Sequence, residues 1–206
     1  MFGHGMGIMQ AQAQTLGGSN GNEIMLSFVT IKEMLVDRGL DVSSVAGEEP
    51  AAVLLTRCGA DRSDVFFVDI DSCGVRVVYN MHPKLRMTDI KKQLDSAHTT
   101  HIVVARERQS LGKGLPGDVQ VFELAELQYN LSRHELVPRH IAIRDEAEIE
   151  VVTKRYGLKS RYQLPLILHS DPMARYLAIK PGQLVRIVRQ SPSAGTYSLY
   201  RCCQKA

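Results

Sequence analysis

The sequence predicts an α/β (α+β) protein of two domains. Three observations lead there. Within residues 22–128, apolar side chains at helical spacing alternate with short Val- and Phe-rich runs, the pattern of helices laid on a sheet. From Arg144 onward a second, self-contained set of helix, turn and hairpin signals begins. The charge also changes sign there: residues 1–129 hold 12 basic and 16 acidic side chains, a balance of −4, whereas residues 130–206 hold 13 and 6, a balance of +7. The expected organisation is a disordered tail over residues 1–20, an N-terminal domain over 21–130 and a C-terminal domain over 131–206. At 206 residues, there is enough chain for each domain to bury a core.

The opening stretch, MFGHGMGIMQAQAQTLGGSNGN, is rich in Gly, Gln and Ala and has neither a basic leader nor a compact apolar run, so it reads as a tail rather than a targeting signal. In NEIMLSFVTIKEMLVDRG, Ile24, Phe28, Ile31 and Leu35 recur on one helical face, with Asn22 as the expected cap and Gly39 as the stop. AAVLLTRCG fits a short helix or strand. DVFFVDI and GVRVVYNM, around the Asp71-Ser72-Cys73-Gly74 turn, read as strands or as a strand entering a turn. TDIKKQLDSA, with Thr88 as cap and Ile90 and Leu94 four apart, reads as a helix leading to the strand HIVVA. DVQVFEL follows as another strand after a glycine-bearing loop.

Beyond residue 144 the punctuation is sharper. Asp145 suits a cap, Glu146 and Glu148 suit the first turn, Lys154 and Arg155 the last, and Gly157 the stop, each charge complementing the helix dipole. Ile149, Val152 and Tyr156 share a face that needs a sheet to cover it. Ser170-Asp171-Pro172 offers a cap with proline at the first helical position. Lys180-Pro181-Gly182-Gln183 fits a type II turn, and QLVRIVRQ and TYSLYRCC around SPSAG read as a hairpin.

Several patterns with chemical potential fail on spacing or context. HELVPRH, residues 134–140, opens like the zinc motif H-E-x-x-H, but its second histidine comes six residues after the first, a rotation of roughly 600° on a helix, and Pro138 stands where the second ligand belongs. The expected form is an extended lead-in to the second domain. Gly112-Lys113-Gly114-Leu115-Pro116-Gly117 matches G-x-G-x-x-G, yet no strand directly precedes it and a β-like run follows, which suits a loop rather than a dinucleotide site. His98 and His101 straddle a helix-to-strand change and read as surface histidines. Cys58, Cys73, Cys202 and Cys203 form no C-x-x-C pair and read as reduced thiols, with adjacent Cys202 and Cys203 on opposite faces of a strand. No run reaches 18 apolar residues, so no membrane span is expected. No catalytic residue, cofactor, metal or small-molecule substrate is indicated.

Charge does point to a partner. From Val151 onward there are ten Lys or Arg against the single acid Asp171, which suits an acidic protein or a nucleic acid. Arg186, Arg189, Arg201 and Lys205 gather on the hairpin with Tyr197 and Tyr200 between them. Such a set can neutralise and stack on nucleic acid, or anchor a protein interface.

HELVPRH, YGLKSRYQLPLI, SDPMARYLAIKPGQLVRIVR and GTYSLYR, in that order over residues 133–203, closely resemble the C-terminal domain of the fifth-largest subunit shared by eukaryotic nuclear RNA polymerases, a family with a shorter archaeal counterpart. Upstream, TIKEMLVDRGL resembles the first helix of the eukaryotic N-terminal domain, which the archaeal form lacks. The resemblance implies a three-layer α/β jaw domain and a small α/β assembly domain with a mixed sheet. It also implies a noncatalytic nuclear subunit, docked on the largest polymerase subunit and forming part of the jaw near downstream DNA. By carry-over, His134, Glu135, Leu136, Val137, Pro138 and His140 open the assembly domain. Gln163, Leu164, Pro165, Asp171, Pro172, Ala174, Arg175 and Tyr176 form its middle, and Gly182, Arg189, Ser191, Gly195, Tyr197, Tyr200 and Arg201 its closing hairpin.

Leu166 stands where the family usually has a base, Pro192 where it usually has glutamate, and QSLGKGLPGD where it commonly has T-P-S-A at a helix start, features that fit a divergent paralogue. With the acidic balance of residues 1–129, the last departure implies only weak DNA contact at the jaw. The alternative is a free-standing basic nucleic-acid-binding factor.

Overall fold

The computed structural model describes residues 19–45, 65–81, 87–94, 97–106, 115–116, 119–191, 193 and 195–205. Residues 1–18 of the expected tail, the AAVLLTRCG element, Cys58, Pro192 and most of the GKGLPG loop lie outside these residues, whereas Ser19 and Asn20, expected to end the tail, are already helical. The chain forms two compact units, residues 1–129 and 130–206.

The first unit is a mixed sheet between two helices. Helix α1 (Ser19–Asp37) buries Phe28, Ile31 and Leu35 completely and Ile24 almost so. It begins one turn earlier than expected, so Asn22 lies inside the helix: helical hydrogen bonding propagates beyond the apolar stripe that marks it in sequence. Its end follows the glycine signal. Leu40 N–H bonds the Leu35 carbonyl at 3.0 Å and Gly39 N–H the Val36 carbonyl at 2.9 Å, with Gly39 at φ 81°, a Schellman stop.

Strands β1 (Val65–Ile70), β2 (Val75–Asn80), β3 (Thr100–Ala105) and β4 (Val119–Glu123) lie in that order, β1 antiparallel to β2 and the others parallel. Alternation gives the sheet two different faces. Tyr79, fully buried, meets the Ser27 hydroxyl of α1 at 3.2 Å, whereas its neighbour Val78 clusters with Val103 and with Ile90 of helix α2 (Met87–Gln93). Thus α1 and α2 cover opposite faces, a three-layer arrangement. Helix α2 starts at Met87 and stops at Gln93, leaving Thr88 within its first turn rather than at its cap.

The second unit is wrapped around another mixed sheet. Strands β5 (Arg139–Ile143), β6 (Leu166–Leu168), β7 (Leu184–Ser191) and β8 (Gly195–Gln204) take the order β5-β7-β8-β6, with β6 parallel to β8 and the other pairs antiparallel. Helix α3 (Glu146–Arg155) lays Ile149 and Val152 on Ile143, Leu164, Leu184 and Cys202. Asp145 caps it, accepting from Ala147 N–H at 3.3 Å, and Gly157 at φ 62° ends it. Tyr156 departs from the expected face burial: it follows the last helical turn, is 50% exposed, and sets its ring edge-on to Tyr200 at 5.7 Å. Cys202 and Cys203 are both buried although they point to opposite faces, because the sheet is covered on each side. On the second side the Cys203 thiol reaches the Ile179 carbonyl at 3.6 Å, just beyond helix α4 (Pro172–Tyr176).

The type II turn forms as expected, with Gln183 N–H on the Lys180 carbonyl at 3.0 Å and Gly182 at φ 87°. After α4 the chain makes another Schellman stop: Ile179 N–H bonds the Ala174 carbonyl at 2.9 Å and Ala178 N–H the Arg175 carbonyl at 3.1 Å. Here the left-handed position holds Ala178 at φ 52° instead of glycine. Left-handed backbone costs an alanine about 1–2 kcal/mol, partly offset by its stiffer unfolded chain. Ala178→Gly is therefore expected to stabilise the unit by about 0.5–1 kcal/mol, read as a higher urea midpoint.

Candidate subunit interface

Most of the motif residues build the second unit. Asp171 Oδ1 accepts from Met173 and Ala174 N–H at 2.9 and 3.4 Å, and Pro172 takes the first position of α4, where no N–H is required. The Gln163 amide oxygen accepts from Lys159 and Ser160 N–H at 2.7 and 3.3 Å, closing a capping box. Leu164 joins the cluster under α3, and the Pro165 carbonyl accepts from Cys202 N–H at 2.9 Å. Ala174 and Tyr176 are buried, and the Tyr176 hydroxyl receives the Ser132 hydroxyl at 3.4 Å. Arg175 is half-buried in α4. Gly182 and Gly195 occupy left-handed turn positions, and the Ser191 hydroxyl lies 3.2 Å from that of Ser193 in the hairpin loop.

The HELVPRH segment is a turn first and a strand second, not extended throughout. His134 supplies the reason: its Nδ1 lone pair accepts from Leu136 N–H at 3.1 Å while its carbonyl accepts from Val137 N–H at 2.9 Å. These bonds curl residues 134–137, and extension begins only at Pro138. His134, Glu135 and Leu136 are exposed, Leu136 to 84%, while Val137 and Pro138 are partly covered. A leucine held at the tip of a hydrogen-bonded turn is apolar surface presented with little conformational freedom left to lose.

His140, on β5, is half-buried, and its Nδ1–H donates to the Pro138 carbonyl at 2.6 Å. Burial pushes the imidazole below its ordinary range; the Pro138 carbonyl and Asp171 oppose the shift, and Arg189 and Arg201 add to it. The unfolded chain thus takes up this proton at higher pH than the folded one. The stability contributed is complete above the unfolded pKa of about 6.5 and is lost as pH falls toward the folded value. Thermal midpoints should drop with acidification across that window, and the drop should shrink in His140→Gln.

The terminal hairpin does not gather its tyrosines and bases on one surface. Cross-strand pairs place Arg189 opposite Tyr197, Ile187 opposite Leu199 and Val185 opposite Arg201 on one face, and Arg186 opposite Tyr200 on the other. Tyr200 and Arg186 therefore belong to the α3 side, where the Tyr200 ring meets Tyr156. The opposite face keeps Arg189 exposed, Tyr197 and Leu199 at 37% and 38% exposure, and Arg201 with one guanidinium nitrogen on the Leu166 carbonyl at 3.1 Å. Leu199 escapes the motif reading although period-two alternation from Tyr197 to Arg201 passes through it.

The other histidine pair is also different from expectation. His101 is buried on β3 and His98 has 11% side-chain exposure, its Nε2 3.6 Å from Asp69 Oδ1 and the two rings edge-on at 6.4 Å. Asp69 also receives a forked pair of bonds from Arg76 at 2.6 and 2.8 Å, so these groups serve a polar cluster on the α2 face of the sheet.

Residues 129–203 match the family described as RNA polymerase Rpb5, C-terminal domain. Over 197 residues, 88% of this chain and 98% of the relative, the sequence is 32% identical to a protein of Dictyostelium discoideum named DNA-directed RNA polymerases I, II, and III subunit rpabc1. The chain belongs to the Rpb5 family. It is also 32% identical to the RPABC1 subunit of Caenorhabditis briggsae, covering 84% of this chain and 80% of the relative. Against that of Caenorhabditis elegans it is 34% identical, over 69% of this chain and 66% of the relative. The Rpb5 match begins at residue 129 and the second compact unit at Asn130. Within it, Leu166 lies on edge strand β6 at 43% exposure and its carbonyl accepts from Arg201, so this residue takes part in the hairpin's support through its backbone.

Proposed function

We propose that this chain is a noncatalytic structural subunit of nuclear DNA-directed RNA polymerase. Its C-terminal unit docks on the largest subunit through the 134–140 turn and the Arg189–Tyr197 face, and its N-terminal unit forms part of the jaw, in weak contact with downstream DNA. The observation that carries this reading is similarity over nearly the full length of a relative named as a subunit of polymerases I, II and III. The geometry supports it: the motif residues are spent on caps, turns and buried contacts, leaving a small set of exposed apolar and basic side chains on a firm base. The negative balance of residues 1–129 fits a jaw that adds little DNA affinity of its own.

Affinity purification of the tagged chain from its native source under mild salt tests the proposal. The largest subunit and other polymerase subunits should be recovered together, and mass spectrometry of each separated polymerase then tells which of the three include this chain. Recovery of the chain without the largest subunit would refute the assignment. Steeply salt-dependent DNA binding by the free chain would favour the nucleic-acid-binding factor instead.

A further inference from the structure

We infer that Ser191, at the tip of the hairpin of β7 and β8, is a phosphorylation site for a proline-directed protein kinase, and that Arg189 then grips the phosphate. Ser191-Pro192 is the only Ser-Pro or Thr-Pro step in the chain. A kinase of this class takes an extended serine followed by a residue that brings no N–H, and the residue before a proline is held to extended backbone. Ser191 has that form: it is the last residue of β7 and pairs with Gly195, the first of β8. Hairpin tips open at little cost, so the few residues a kinase engages can be lent to it without disturbing the buried part of the sheet.

The tip also has room for the product. Gly195 stands across from Ser191 at φ 65°, and a Cβ added there would meet nothing within 4 Å, so the space beside the Ser191 side chain is open. The Ser191 and Ser193 hydroxyls meet at 3.2 Å in an exposed position. Alternation puts Arg189 on the same face of β7 as Ser191, roughly 7 Å back along the strand, a span that an arginine side chain bridges. Arg189 is exposed and makes no ion pair among the described residues. Its planar fork can hold two phosphate oxygens at once. A phosphoserine carries about −1.5 to −2 charge at neutral pH, so the modification turns a cationic tip into an anionic one.

In the transfer, Ser191 Oγ attacks the γ-phosphorus of ATP. The Oγ–P bond forms as the bond from that phosphorus to the bridging oxygen breaks, the hydroxyl proton passes to the kinase's catalytic aspartate, and ADP leaves. Ser193 shares the loop and is more exposed than Ser191, but Ala194 follows it, so it lacks the proline that selects Ser191. The two hydroxyls therefore serve as site and control within one loop.

The full-length chain, purified from its native source with phosphatases inhibited, should carry a phosphoryl group that fragmentation mass spectrometry maps to Ser191. A purified proline-directed kinase with ATP should add the same group to the unmodified chain. Pro192→Ala should lower kcat/KM for that transfer by at least about tenfold, the effect of one lost specificity contact, whereas Ser193→Ala should leave it unchanged. Unchanged thermal midpoints will show that the variants fold. In phosphorus NMR of the modified chain, the phosphate should lose its second proton at lower pH than in Arg189→Gln, because a neighbouring cation favours the dianion. Absence of a phosphoryl group from Ser191 in the native chain overturns the inference, as does undiminished transfer to Pro192→Ala or identical titration in Arg189→Gln. None of these readouts involves another polymerase subunit, so this inference and the polymerase role can fail separately.

Discussion

Leu136→Asp should abolish recovery of the largest polymerase subunit while leaving the thermal midpoint of the free chain unchanged. Leu136 is 84% exposed, so its side chain contributes almost nothing to the fold. Yet its backbone is held by the His134 imidazole at 3.1 Å, so docking need not first order the turn. Burying a leucine of this kind contributes roughly 1.5–3 kcal/mol. Truncation to alanine should therefore weaken docking by about 10- to 100-fold, with aspartate worse because a buried unpaired carboxylate is added. Immunoblotting the largest subunit in purifications at matched salt reads the effect. Undiminished recovery with Leu136→Asp would remove the turn from the interface.

Leu184→Ala should be the most damaging conservative change in the second unit, costing about 2–5 kcal/mol. Leu184 is completely buried, pairs across the sheet with Ile143 on one side and Cys202 on the other, and lies under Ile149 and Val152 of α3. Removing its branched end leaves a cavity bounded by strand backbone, which relaxes little. Domains of this size are held by only about 5–15 kcal/mol, so the loss is a large share of the whole. Urea unfolding followed by far-UV circular dichroism measures it. Leu168→Ala, at a side chain 51% exposed on edge strand β6, gives the comparison and should cost less than about 1 kcal/mol. Equal losses at the two positions would contradict the packing described for this sheet.

Elements whose signals lie close together in the chain are legible from residue order. Asp145 with Gly157, Asp171 with Pro172, and the Pro181-Gly182 turn each use a group acting on backbone within a few positions, and each appears as expected. The caps expected at Asn22 and Thr88 are displaced because apolar periodicity marks the stripe a helix buries and not where its hydrogen bonds begin. The HELV turn reads as extended in sequence because Pro138 dominates the local pattern, while the bond that curls the chain comes from a histidine ring whose direction sequence does not record.

Residue order does not decide which side chains share a surface. Tyr197 and Tyr200 sit three residues apart and look like one aromatic patch; on a strand that odd separation sends them to opposite faces, and α3 then covers only one of those faces. His98 and His101 read as surface groups, yet sheet pairing draws them against Asp69 and Arg76. Residue order alone determined the α/β class, the family resemblance and the positions of turns, since these depend on local backbone chemistry and on motifs in order. Tertiary structure alone decided that the motif residues divide into supports and exposed contacts, because that division depends on strand register and on which sheet face a helix occupies.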